Sequence, residues 1–98
     1  MAKVILQISY EIQPEKRGEY LALVGEMKSH FTDVRKKEYQ VFEVKGKKNS
    51  FVEQFVSGSI EEFEGLEDDL DERSEELVNR LETFLRDGTS RYTTLVEL

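Results

Sequence analysis

The sequence predicts an α+β domain of element order β-α-β-β-α-β, and three observations carry this. Val4–Ile12 alternates apolar and polar side chains with the two-residue period of a strand. Tyr39–Val44 and Phe51–Val56, both rich in β-branched and aromatic residues, flank the polar Lys45–Asn49, which contains Gly46, as the arms of a hairpin flank its turn. Glu15–Val34 and the chain after Ser59 repeat apolar residues at three- and four-residue steps, the spacing of a helix face.

In the first strand, Val4, Leu6, Ile8, Tyr10 and Ile12 share one face, with Ile5, Gln7, Ser9 and Glu11 on the other. Pro14 ends it, because it lacks the N–H that a ladder uses, and suits the first turn of the helix that follows. That helix is expected over Glu15–Val34, with Tyr20, Leu23, Val24, Met27, Phe31 and Val34 as its apolar stripe. If the hairpin pairs Phe42 near Val52, one face carries Gln40, Phe42, Val44, Val52, Gln54 and Val56. The other then carries Tyr39, Val41, Glu43, Phe51, Glu53 and Phe55. Both faces are substantially apolar, so both need a cover. Ser59-Ile60-Glu61-Glu62 fits a capping box. A short helix is expected near Ile60–Glu64, a break at Gly65, and a longer helix near Asp69–Arg86, capped by Gly88. Ser90–Leu98 is the last strand, with Tyr92, Thr94, Val96 and Leu98 on one side. This order is the ferredoxin-like arrangement: a four-stranded antiparallel sheet, strands one and three central, both helices on one face.

A chain of 98 residues makes one domain, residues 1–98, with a modest core. A hydrophobic fraction of 38% is low for covering both sheet faces, which points to a partner chain. The absence of cysteine removes disulfides and thiolate chemistry. Strand residues begin at Val4 and no apolar run approaches a membrane span, so a cytoplasmic protein without membrane contact is expected. The net charge of −7 argues against nucleic acid, whose affinity rests on Lys and Arg. The Arg35-Lys36-Lys37 and Lys45/Lys47/Lys48 clusters are too small to reverse this and read as solvated strand ends. Asp69-Leu70-Asp71 begins like an EF-hand loop, but the sixth and twelfth positions are Ser74 and Arg80 where Gly and Glu are needed, so no metal is expected. No Gly-rich phosphate loop or Ser-His-Asp set is present.

The opening VILQISYEIQPEKRGEYLALV, a strand followed by Pro and a Lys-containing helix start, resembles the antibiotic-biosynthesis-monooxygenase-like families of the dimeric α+β barrel superfamily. NSFVEQFVSGSIEEF resembles their third strand, Phe-Val then Glu-x-Trp-x-Ser and a helix, here Glu53-Gln54-Phe55-Val56-Ser57. The resemblance implies a homodimer packed sheet to sheet, with a pocket between each sheet and its helices. It also implies one of two activities, cofactor-free oxygenation of aromatic polyketides or haem degradation. The haem-degrading members resemble one another in an Asn, a Trp and a His at positions that fall near Ile8, Phe55 and Leu66 here. None of the three is retained, and no cofactor is expected.

The candidate catalytic residues are His30, Glu53 and Tyr39, and the candidate ligand-binding residues are Tyr10, Tyr39 and Phe55. His30 is either a general base or a helix-end residue at the rim. Glu53, if its strand face meets the helices, is a buried carboxyl that marks a site; otherwise it lies at a pocket mouth or pairs with an Arg. Tyr10, Tyr39 and Tyr92 either orient a ligand or are core residues with satisfied hydroxyls. Two functions follow: a protein that binds a small apolar molecule, or a cofactor-independent oxygenase or isomerase.

Overall fold

The computed structural model describes residues 2–68 and 71–98. Its elements are β1 (Val4–Glu11), a 3₁₀ turn (Pro14–Lys16), α1 (Arg17–Lys28), a π-helical turn (Ser29–Val34), β2 (Glu38–Glu43), β3 (Ser50–Ser57), α2 (Ile60–Asp68), α3 (Glu72–Glu82) and β4 (Arg91–Val96). The sheet is antiparallel throughout, in the order β2-β3-β1-β4, so β1 and β3 are central as expected.

The hairpin register, which the sequence left open, pairs Phe42 with Val52 and Tyr39 with Phe55. Gly46 at φ 87° and Asn49 at φ 70° supply the two left-handed residues of the five-residue turn. The Arg17 guanidinium closes the base of the hairpin from α1. It forks onto Glu43 at 2.6 and 3.0 Å, and the Asn49 N–H donates to the same carboxylate. These hydrogen bonds hold Glu43 at a pKa of about 2.

The core lies between the helices and one sheet face. Tyr20, Leu23, Met27 and Phe31 of the first helical segment meet Leu77 and Leu81 of α3 above Tyr10, Ile12, Tyr39 and Phe51. Outside this core, α1 and α3 are joined through Glu26, which accepts from both Arg73 and Arg80.

Four local expectations are corrected. The first helix is not α-helical to Val34. Its last turn widens, with the Arg35 N–H donating to the His30 carbonyl, five residues back. The extra residue rotates Val34 out of the apolar stripe, leaving it 67% exposed. Gly65 does not break α2. The Ser59 hydroxyl accepts from the Glu62 N–H, and Glu62 reaches back to the Gly58 N–H. A helix started that firmly carries an internal glycine at about 1 kcal/mol. Finally, α3 ends at Glu82, because the next residues pair with the sheet. Ile12 bridges Leu85, and the N–H groups of Gln13 and Arg86 donate to Phe84 and Glu11. Gly88, at φ 66°, therefore turns the link into β4 instead of capping α3. The expected helix start at Asp69 and Leu70 lies outside the described residues. Asp71 is the observed cap of α3, accepting from the Ser74 N–H at 2.7 Å. No helix among the described residues is long and apolar enough to cross a membrane.

Candidate functional site

A cavity of about 250 Å³ opens between the sheet and the helices. Leu6, Ile8 and Tyr10 of β1 and Glu53 and Phe55 of β3 form its floor. Leu66 of α2 and Val78 and Leu81 of α3 form the roof, and Phe31, Arg35 and Lys37 close the end after α1. An apolar cavity of about 150 Å³ already takes up benzene. This one has room for a bicyclic aromatic.

Alternation along β3 turns Glu53 to the helix side with Phe51 and Phe55, so a carboxyl sits at the back of an apolar chamber. Glu53 is 4% exposed. The Tyr39 hydroxyl donates to its Oε1 at 2.6 Å. The Tyr10 hydroxyl lies 2.7 Å from that of Tyr20. Burial pushes the Glu53 pKa up, while hydrogen bonding from Tyr39 and Tyr10 works against the rise. Burial also raises Tyr10 and Tyr39, and the nearby Glu53 charge adds to both. Burial raises Tyr20 as well. Proton exchange at this string of groups is therefore centred on the carboxyl and not on any phenol. No described buried side-chain polar atom lacks a partner, so the string is satisfied without a ligand.

Tyr10, Glu53, Phe55 and Tyr92 all face the cavity, and Tyr39 touches it through Glu53. His30 is placed elsewhere. It is buried, its Nε2 is 3.1 Å from both Asp71 Oδ1 and Ser74 Oγ, and Arg35 donates to the same Ser74 hydroxyl. Histidine, serine and aspartate thus meet here, but Asp71 and Ser74 contact one nitrogen. A hydrolytic triad needs them on opposite ring nitrogens. The cluster fastens the π-helical turn to the start of α3.

The positions that resemblance assigned to Asn, Trp and His in haem-degrading proteins, Ile8, Phe55 and Leu66, converge on this cavity as three apolar side chains. Two features escaped sequence reading. Tyr20 looks like one more residue of an apolar stripe, and nothing in the spacing shows that its hydroxyl meets Tyr10. Arg35 and Lys37 look like a solvated cluster. Lys36, in the left-handed conformation at φ 57°, lets the Lys37 N–H reach the Phe31 carbonyl and turns the chain back toward the cavity.

No protein-family profile matches the sequence, and no curated protein matches it. Solved structures do resemble it. A NIPSNAP family protein from Agrobacterium tumefaciens superposes with a TM-score of 0.78 at 18% identity, over 98% of this chain and 86% of that one. A mutant of SnoaB, a cofactor-independent oxygenase from Streptomyces nogalater, superposes with a TM-score of 0.74 at 13% identity, over 95% and 90% of the two chains. An antibiotic biosynthesis monooxygenase gives 0.67 at 20% identity, over 100% and 97%. Likeness at these identities is likeness of fold. The chain has the ferredoxin-like α+β fold of antibiotic-biosynthesis-monooxygenase-like and NIPSNAP proteins.

Proposed function

We propose that the protein is a cytoplasmic homodimer, joined through the sheet face away from the helices, that binds a small aromatic or otherwise apolar molecule in the cavity of each chain. The observation that carries the binding reading is a 250 Å³ chamber with apolar walls and one buried carboxyl at its back. Ligand sites combine apolar walls with a few placed polar groups in this way. The walls hold the apolar body, and Glu53 and Tyr10 meet a hydroxyl or carbonyl group. Titration calorimetry with 2-naphthol checks it. Saturable binding is expected at one site per chain, weakened at least tenfold by Leu66→Trp, which fills the chamber. Binding that is indifferent to this substitution would place the ligand elsewhere.

Glu53 also favours a second reading, that of a cofactor-independent oxygenase or isomerase. An ionised carboxylate surrounded by apolar walls is a better base than one in water, because burial disfavours its charge. It would take a proton from an activated C–H or O–H of the bound molecule, and the fold neighbour described as a cofactor-independent oxygenase supports such chemistry. Protein-dependent exchange of solvent deuterium into a bound 1,3-diketone, lost in Glu53→Gln, would establish it. No exchange above the buffer rate would leave binding alone.

A further inference from the structure

The end of the cavity after α1 differs from its walls. Arg35 and Lys37 both line it, two residues apart on either side of the left-handed Lys36, and Ser90 and Tyr92 stand at the same chamber. The two cations are not equivalent. Arg35 donates to the Ser74 hydroxyl and lies 3.9 Å from the Asp71 carboxylate, so its charge is already shared with the start of α3. Lys37 is half-buried and forms no ion pair among the described residues. Among the described residues, the other charged groups on the chamber are Glu82, exposed on α3, and Glu53 at the back. An apolar body that fills the chamber would end beside Lys37, whose ammonium has no counterion among the described residues.

We propose that the ligand is a small apolar acid, its hydrocarbon body in the chamber and its carboxylate on Lys37 at the end formed by the π-helical turn. This rests on the binding reading above and names the class of molecule it applies to. A carboxylate at that end stays away from Glu53, whose surroundings are apolar. It replaces part of the water around Lys37 with a charge-assisted hydrogen bond, which is stronger than a neutral one.

The test compares 2-naphthoate with 2-naphthol, which share a ring system and differ in charge, by titration calorimetry at pH 7.5. Naphthoate should bind about tenfold tighter in 50 mM NaCl, and the preference should shrink at 500 mM as the pair is screened. Lys37→Met should remove the preference, bringing naphthoate affinity down to that of naphthol in the same variant. Glu82→Gln should preserve it. If naphthol binds as well as or better than naphthoate, the acid assignment is overturned and the binding reading survives. If the preference persists in Lys37→Met, the carboxylate does not sit on Lys37 and the assignment is likewise overturned. If neither compound binds, both fall together.

Discussion

Phe42→Glu is expected to turn a dimer into a monomer. The sheet face away from the helices has no cover among the described residues: Phe42 is 50% and Leu95 44% exposed, with Val44 beside them and Ile5, Val52 and Val56 half-buried. Across its middle runs a row of amides. The Gln7 side chain donates to Gln54, and Gln54 reaches Gln40 at 3.5 Å. A flat apolar face crossed by a polar row that can both donate and accept is suited to meeting its own copy about a two-fold axis. A stable interface of this kind covers about 800 Å² per partner. Two-fold symmetry counts the substitution twice, losing two apolar side chains and burying two carboxylates. At about 1–3 kcal/mol for each chain, the dissociation constant should rise at least about 30-fold. Lys47→Glu, in the exposed hairpin turn, should leave association intact. Sedimentation velocity at low micromolar concentration reads both variants. A wild type that sediments as an 11.5 kDa species would remove the dimer.

Glu53→Gln is expected to make the protein more stable at pH 8, by at least about 1 kcal/mol, which exceeds the ±0.5 kcal/mol of an ordinary surface change. Glutamine keeps the shape and still accepts from Tyr39, but carries no charge into the apolar chamber. The pH dependence fixes the cause. The folded-state pKa of Glu53 is raised above its ordinary value of 4.5. Below 4.5 both folded and unfolded chains hold the proton, and the carboxyl costs nothing. As pH rises from there to the raised pKa, the unfolded chain ionises first, so wild-type stability declines by up to about 1.4 kcal/mol per pH unit. Above the raised pKa the loss is constant. Glu43 and Glu26 act in the opposite direction: held at about 2 by their arginine partners, they withdraw stability as pH falls from about 4.5 toward 2. Both are present in wild type and variant and cancel in the difference. Urea denaturation at pH 4, 6 and 8 should therefore show a gap that opens with pH. A gap that is flat, or that closes with pH, would contradict the buried-carboxyl account. A residue that costs stability where it stands is one expected to act on something else.

The strands were legible in the sequence because their period of two repeats several times in each. The hairpin register was not: both of its faces are substantially apolar, so burial alone does not choose between them, and it is the pairing of Tyr39 with Phe55 that turns Glu53 to the helix side. The helix ends were not legible. They are set by pairing between Leu85 and Ile12, residues 73 positions apart, and by a widened turn that no spacing announces. The cavity was legible in outline, since Tyr10, Glu53 and Phe55 share strand faces, but not at its far end. Arg35 and Lys37 reach it only because Lys36 takes a conformation that a non-glycine residue seldom adopts. His30 drew attention as the one histidine, yet its surroundings are the cap of α3 and not the chamber.

Methyl-resolved NMR of the protein titrated with 2-naphthol reads occupancy of the chamber residue by residue. Saturable shifts are expected at Leu6, Ile8, Leu66, Val78 and Leu81, which line the chamber with Glu53, while Val44, Val52 and Val56 stay unmoved. Shifts confined to the second group, or spread over the surface without saturation, would show that the chamber between sheet and helices is not a binding site.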